Sequence, residues 1–310
     1  MADNPLYPYS PIAGRPPLRL PGGKRLAVWI GVANEHFLFG RRALSLVDFT
    51  ADLPPDPLNH GWRDYGPRVG TWRLMDLFDR YRIPVTSLLN GDVVTEHPEI
   101  VAAGVERGWA FVGHGATNST FLLGLTRNEE RAEIARITEQ ITEATGTRPR
   151  GWIGPALTES EHTGDILTEL GYTYTVNWGG IDDEPVRMAS GLLAMPYSAE
   201  VNDLPAFVVH HHTAPEFRDM LIDQFDQLLA EGADRPRVMG FGVHPFLVGQ
   251  PYRARHFARA LEHMTGHRDE VWFTTADGLA SWYNDARGNG DHGKLGGHGE
   301  CYHGGRGGGG

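Results

Sequence analysis

The sequence predicts an α/β fold: a distorted β/α barrel, complete or incomplete, of about seven strands. Three observations carry that reading. Short apolar runs alternate with amphipathic stretches, the pattern of a mainly parallel sheet covered by helices. The alternation runs over the whole chain, which favours one closed or nearly closed barrel over two separate domains. Polar clusters stand directly after the apolar runs, where barrel active sites are built.

The elements follow in order. Through the first 25 residues Pro5, Pro8, Pro11, Pro16, Pro17 and Pro21 block regular helix. This extended arm either wraps its own domain or packs on a neighbouring subunit. Leu26 to Val32 reads as a buried strand. Thr71 to Tyr81 is a helix, with Trp72, Met75, Leu77, Phe78 and Tyr81 roughly at helical spacing. Ile83 to Leu89 is a strand, Pro98 to Arg107 a helix stopped by Gly108, and Trp109 to Gly113 a strand. Thr126 to Thr145 is a long helix, with Thr126 as N-cap and Glu129 completing a capping box. Arg150 to Ile153 and Tyr172 to Asn177 are strands around a helix from Glu161 to Leu170. A helix from Glu216 to Ala230, a strand Val238 to Val243, a helix Arg253 to Met264, a strand Val271 to Phe273 and a helix Thr275 to Tyr283 complete a barrel over 26–286. The segment 287–310 is glycine- and histidine-rich. It holds too little apolar surface to offset its ordering entropy, so disorder is expected there.

Composition narrows the function. The chain has 310 residues, 40% hydrophobic, enough for one large core. A net charge of -11 argues against nucleic acid or an anionic membrane as partner, since both need a basic face. No stretch approaches the roughly 18 apolar residues of a membrane span. The opening is polar and proline-rich rather than a secretory signal, and the single cysteine, Cys301, excludes an internal disulfide. A cytoplasmic address is the economical reading.

Four clusters follow strands. Asn34-Glu35-His36 sets a carboxylate beside an imidazole, which suits a general base or a metal ligand. In His114-Gly115-Ala116-Thr117-Asn118, one helical turn would place His114 and Asn118 on a shared face. In Asn177-Trp178-Gly179-Gly180-Ile181-Asp182-Asp183, Asp182 and Asp183 orient a base, bind substrate or cap the loop, and Trp178 walls the pocket or packs in the core. His244, locked before Pro245, suits proton delivery to a leaving nitrogen. A structural histidine at a strand end is the alternative for His114 and His244. Arg63, Tyr65 and Arg68 offer cations and a phenol to a polar substrate, or a loop salt bridge. Around Trp152, the loop Gly151 to Pro155 could turn backbone N–H groups toward an oxyanion. His210, His211 and His212 are consecutive, and on a strand they would alternate faces, against a metal site.

The order of these clusters resembles the polysaccharide deacetylase superfamily over roughly Gly22 to Tyr283. That superfamily's first motif carries two acids, its second a His-x-x-x-His metal pair, and a late motif a histidine acid. Here Asn34-Glu35-His36 stands at the first motif and Asn118 replaces the second histidine. A closer similarity is to the branch of cofactor-free allantoinases and cyclic-imide hydrolases. It rests on Asp64-Tyr65-Gly66-x-Arg68, His114-Gly115, Gly151-Trp152-x-Gly154-Pro155, Asp182-Asp183, and His244-Pro245 with Gly249-Gln250-Pro251.

The resemblance implies a hydrolase of non-peptide C–N bonds acting on a small polar substrate: a cyclic amide, imide or ureide. Glu35 is the expected base, with a pKa raised by desolvation. His114 and Asn118 hold the water or the carbonyl oxygen, His244 is the acid, and Asp183 completes the catalytic set. His36, Arg63, Tyr65, Arg68, Asn118, Trp152, Trp178 and Asp182 are expected to bind substrate. No cofactor is expected, and a homo-oligomer is. One alternative is a metal-dependent N-deacetylase of an acetylated amino sugar, with zinc on His114 and Glu35. Another is a non-catalytic barrel that binds a small ligand.

Overall fold

The computed structural model describes residues 4–288. The expected properties of the glycine- and histidine-rich tail, 289–310, lie outside the described residues. One nine-stranded sheet organises the chain. Its strands are β1 (Leu26–Asn34), β2 (Val85–Leu89), β3 (Ala110–Gly113), β4 (Gly151–Trp152), β5 (Tyr174–Thr175), β6 (Val186–Arg187), β7 (Leu193–Ala194), β8 (Arg237–Val243) and β9 (Val271–Phe273). They lie in the order β6-β7-β5-β4-β3-β2-β1-β8, with β9 also on β1. Only β6 and β7 among these pairs run antiparallel. The two ends of the sheet curl toward each other: Val238 N–H donates to the Asp183 carbonyl at 3.0 Å and Ser198 N–H to the Gly240 carbonyl at 2.8 Å. The result is a distorted, incompletely closed barrel.

The helices are α1 (Pro57–Tyr65), α2 (Thr71–Tyr81), α3 (Val93–Glu96), α4 (Pro98–Glu106), α5 (Arg127–Thr145), α6 (Thr163–Glu169), α7 (Ala214–Glu231), α8 (Pro251–Thr265) and α9 (Ala276–Gly288). Local chemistry starts several of them. Thr126 and Glu129 form the expected capping box on α5, and Thr213 with Glu216 forms another on α7. The segment expected as a loop around Arg63 is instead α1, which runs through a π turn at Gly66–Gly70 into α2. Pro57 fits because it occupies the first turn, where no N–H is needed, and Pro67, which has no N–H, stands in the π turn.

Strand alternation sorts the core into two layers. On β1, Leu26, Val28, Ile30 and Val32 pack with Leu74 and Phe78 of α2 and with Phe257 and Leu261 of α8. Ala27 and Trp29 instead join Leu88, Val112, Ile153, Tyr174 and Val238 inside the barrel. The same phase carried two residues onward brings Glu35, Asn90, His114 and His244 to the inner side of the C-terminal strand ends. On β8 the inner positions include Gly240 and Gly242. A Cβ at Gly242 would strike the Tyr197 hydroxyl, so glycine there admits the Tyr197 ring, which stacks on Trp29 at 5.6 Å.

The arm wraps its own domain. Leu18 and Leu20 are buried in the inner cluster. Arg15 donates to Asp182 at 2.9 Å, and Ala189 N–H donates to the Leu6 carbonyl at 2.8 Å. Arm residues Tyr7 to Pro16 thus roof a cavity of about 920 Å³ between the two curled sheet ends. No helix among the described residues is long and apolar enough to cross a membrane.

Candidate active site

Three strand exits meet at one oxygen. Glu35 leaves β1, His114 leaves β3 and His244 leaves β8, all nearly buried. Glu35 Oε1 lies 3.3 Å from His114 Nε2 and 3.7 Å from His244 Nε2, and it accepts a hydrogen bond from Asn118 Nδ2. A recess of about 10 Å³ opens beside Glu35, between Asn34, Pro67, His97, Pro245 and Phe246. That is about the room of one water molecule.

The protonation logic is constrained. His114 Nδ1 lies 2.9 Å from the Ile153 carbonyl, which only accepts, so Nδ1 carries hydrogen. Nε2 therefore faces the Glu35 carboxylate either as a lone pair or as the second N–H of an imidazolium. A direct hydrogen bond between them needs a shared proton.

Asp203, which the sequence reading missed, holds the third group. Its Oδ1 lies 2.6 Å from His244 Nδ1, and its Oδ2 accepts the His244 backbone N–H at 2.7 Å. Burial alone would lower the His244 pKa. The Asp203 and Glu35 carboxylates and the Asp203 hydrogen bond outweigh it and raise the value to about 9. His244 is thus an imidazolium at neutral pH, with its free Nε2 turned toward Glu35. Asp203 opens the short helical turn that runs into the π turn Pro205–Val209, with no strand or histidine beside it to flag it.

Asn90, at the end of β2, locks the frame. Its Oδ1 accepts the His36 N–H at 2.9 Å, and its Nδ2 donates to the His114 carbonyl and, at 3.0 Å, to Asn118 Oδ1. With its oxygen occupied, the Asn118 amide presents its NH₂ to Glu35. A metal would need oxygen there. Glu35 and His114 offer two donor atoms at a usable spacing, but Asn118 offers a hydrogen-bond donor instead of a third ligand, so the set fits a three-ligand zinc site poorly.

The other expected residues are placed apart from this cluster. Asp183 was expected to converge with Glu35, His114 and His244, but it pairs with Val238 near the start of β8. His244 lies beyond the other end, roughly 20 Å along the strand. After β5 the chain folds back toward the opposite mouth of the barrel. Asp182 is there too, bound to Arg15. Burial raises the Asp183 pKa against the opposing pull of Arg237.

Trp152, fully buried, points outward and packs on Tyr172 with ring centroids 5.9 Å apart. Its strand phase is opposite to that of Ile153. Trp178 donates to Glu159 at 2.6 Å and packs on Tyr7 of the arm. The Gly151 to Pro155 loop holds no oxyanion pocket at Ile153 or Gly154, whose N–H groups donate to the Gly113 carbonyl and to Asn177 Oδ1.

Around α1 the reading also changes. Arg63 is buried, donates to the Leu44 carbonyl and lies over the Phe37 ring at 5.2 Å. Burial lowers its pKa. Tyr65 accepts from Arg73 at 2.7 Å, and Arg68 lies exposed beside Asp64 at 3.5 Å. Gly66 and Gly70 let this helix approach the His244 loop: a Cβ at Gly70 would overlap the Pro245 carbonyl oxygen. His36 stands at the rim, its Nδ1 3.4 Å from His97 Nε2. Burial and His36 lower the His97 pKa. His210, His211 and His212 follow a π turn instead of forming a strand; His210 and His211 are exposed and His212 is partly buried.

Comparison with known proteins agrees with this frame. Residues 63–175 match the family described as polysaccharide deacetylase. A Schizosaccharomyces pombe protein that carries the name polysaccharide deacetylase is 28% identical over 236 residues, 70% of this chain and 73% of that one. A Helicobacter pylori peptidoglycan deacetylase is 24% identical over 263 residues, 74% of this chain and 88% of that one. The crystal structure of the PuuE allantoinase superposes with a TM-score of 0.78 at 26% identity, covering 90% of this chain and 98% of that one. Over residues 63–175 the chain thus matches the polysaccharide deacetylase family, and over most of its length it is similar to proteins named as deacetylases and to an allantoinase.

Proposed function

We propose that the substrate is a small cyclic amide, imide or ureide, opened by side-chain acid–base catalysis without a metal. The carrying observation is the carboxylate of Glu35 held 3.7 Å from an imidazolium, His244. Glu35 takes the proton of a water as it attacks the ring carbonyl. His244 gives its Nε2 proton to the departing nitrogen, a poor leaving group as a free anion. Asp203 keeps that proton available near neutral pH, and Asn118 and His114 hold Glu35 in place. Each of these two proton transfers typically contributes about 10²–10⁴-fold. Similarity to an allantoinase supports a ring substrate.

A second reading keeps some support. The 3.3 Å spacing of His114 Nε2 and Glu35 Oε1 is compatible with two ligands of one cation, and one relative is named a peptidoglycan deacetylase. One experiment separates the two. Hydantoins, succinimides, allantoin and acetylated amino sugars are assayed after exhaustive chelation, with wild type, Glu35→Gln and His244→Ala. Ring opening by the chelated wild type that both variants lose supports the proposal. Activity that vanishes on chelation and returns with zinc rejects it.

A further inference from the structure

Away from Glu35, α7 and α8 share another cluster of donor atoms. His263 lies in the last turn of α8 and His267 in the turn that follows it, and Asp226 meets them from α7. One donor atom from each lies within 4.8 Å of the other two. His263 Nε2 is 2.7 Å from Asp226 Oδ1, and the two imidazole rings lie 5.4 Å apart. Phe225 supports both rings, with centroids at 5.8 and 5.6 Å. Behind His267, Nδ1 lies 3.7 Å from Glu270 Oε2, and Arg25 holds Glu270 in turn at 2.6 Å. A carboxylate behind an imidazole is the arrangement that orients ligating histidines. All three residues are partly exposed, so a cation reaches them from solvent.

We propose that Asp226, His263 and His267 form a divalent transition-metal site that staples α7 to α8. Two imidazoles and one carboxylate suit zinc, cobalt, nickel or copper; calcium and magnesium prefer all-oxygen sets. The two imidazoles lie side by side at the end of α8, and the carboxylate comes from a different helix, so bound metal cross-links two elements of the outer layer. Three protein donors leave room for water in the remaining positions. Neither helix contributes to the cluster around Glu35. Metal that the double variant His263→Gln/His267→Gln loses therefore belongs to this staple and not to the cluster around Glu35.

The test uses the full chain, stripped with chelator and titrated with zinc by calorimetry and thermal shift, and with cobalt by visible absorption. The comparison is with Asp226→Asn and with the double variant His263→Gln/His267→Gln. Zinc at about a hundredfold excess over Kd raises the wild-type Tm by roughly 5 °C or more. The double variant loses that rise, one equivalent of zinc and the cobalt absorption, with its hydrolytic rate unchanged. Asp226→Asn weakens binding about tenfold or more. A wild type whose Tm ignores zinc overturns the proposal, as does a double variant with undiminished stoichiometry and affinity. Should the double variant not fold, Asp226→Asn decides alone, and unchanged affinity there overturns it.

Discussion

His244 Nδ1 lies 2.6 Å from Asp203 Oδ1, and both side chains are buried. This pair makes stability depend on alkaline pH. Burial opposes the imidazolium, but the two nearby carboxylates prevail and lift the folded pKa to about 9, above the ordinary 6.5. The stabilisation is therefore complete below about pH 6.5 and fades as pH rises through about 9, by roughly 3 kcal/mol in all. Urea denaturation of wild type from pH 6 to about 10 should show that decline, and Asp203→Asn should flatten it. Parallel curves for the two proteins would refute the coupling.

Asn90 is fully buried and bonds the exits of β1 and β3 at once. Asn90→Ala removes the partner of the His36 N–H, of the His114 carbonyl and of Asn118 Oδ1. The expected loss is about 2–4 kcal/mol by urea denaturation, together with a lower kcat. A stability within about 0.5 kcal/mol of wild type would show that the frame does not need this residue.

Gly70 allows α2 to touch the loop that carries His244. A methyl group there meets a backbone carbonyl, which has no soft way to yield. Gly70→Ala should cost about 2 kcal/mol or more and lower kcat, whereas Gly14→Ala, in open space, should change neither. Equal melting temperatures for the two variants would contradict this.

Arg15 ties the arm to Asp182 and, at 3.7 Å, to Glu184 across the seam of the barrel. Arg15→Ala should expose the arm to limited proteolysis near Ser10 and cost about 1–3 kcal/mol, with kcat nearly unchanged. A large fall in kcat would instead link the seam cavity to the chemistry.

Much of the fold and part of the site were legible because period-two alternation continues past the strand ends. On β1 and β8 it places Glu35 and His244 inside, and apolar runs marked both strands. The same phase on β4 separates Trp152 from Ile153, a signal present in the sequence. Asp182 and Asp183 misled because β5 is two residues long and the chain turns back at once. Asp203 was invisible for a different reason. Its role comes from a contact 41 residues away, and nothing local distinguishes it from a surface aspartate.

The most direct measurement is the pH profile of kcat/KM for ring opening by metal-stripped protein, with and without added zinc. A bell-shaped profile is expected, with its alkaline limb near pH 9, indifferent to zinc and shifted to lower pH by Asp203→Asn. Activity that requires zinc, or an alkaline limb that Asp203→Asn leaves in place, would contradict catalysis by the Glu35 and His244 pair.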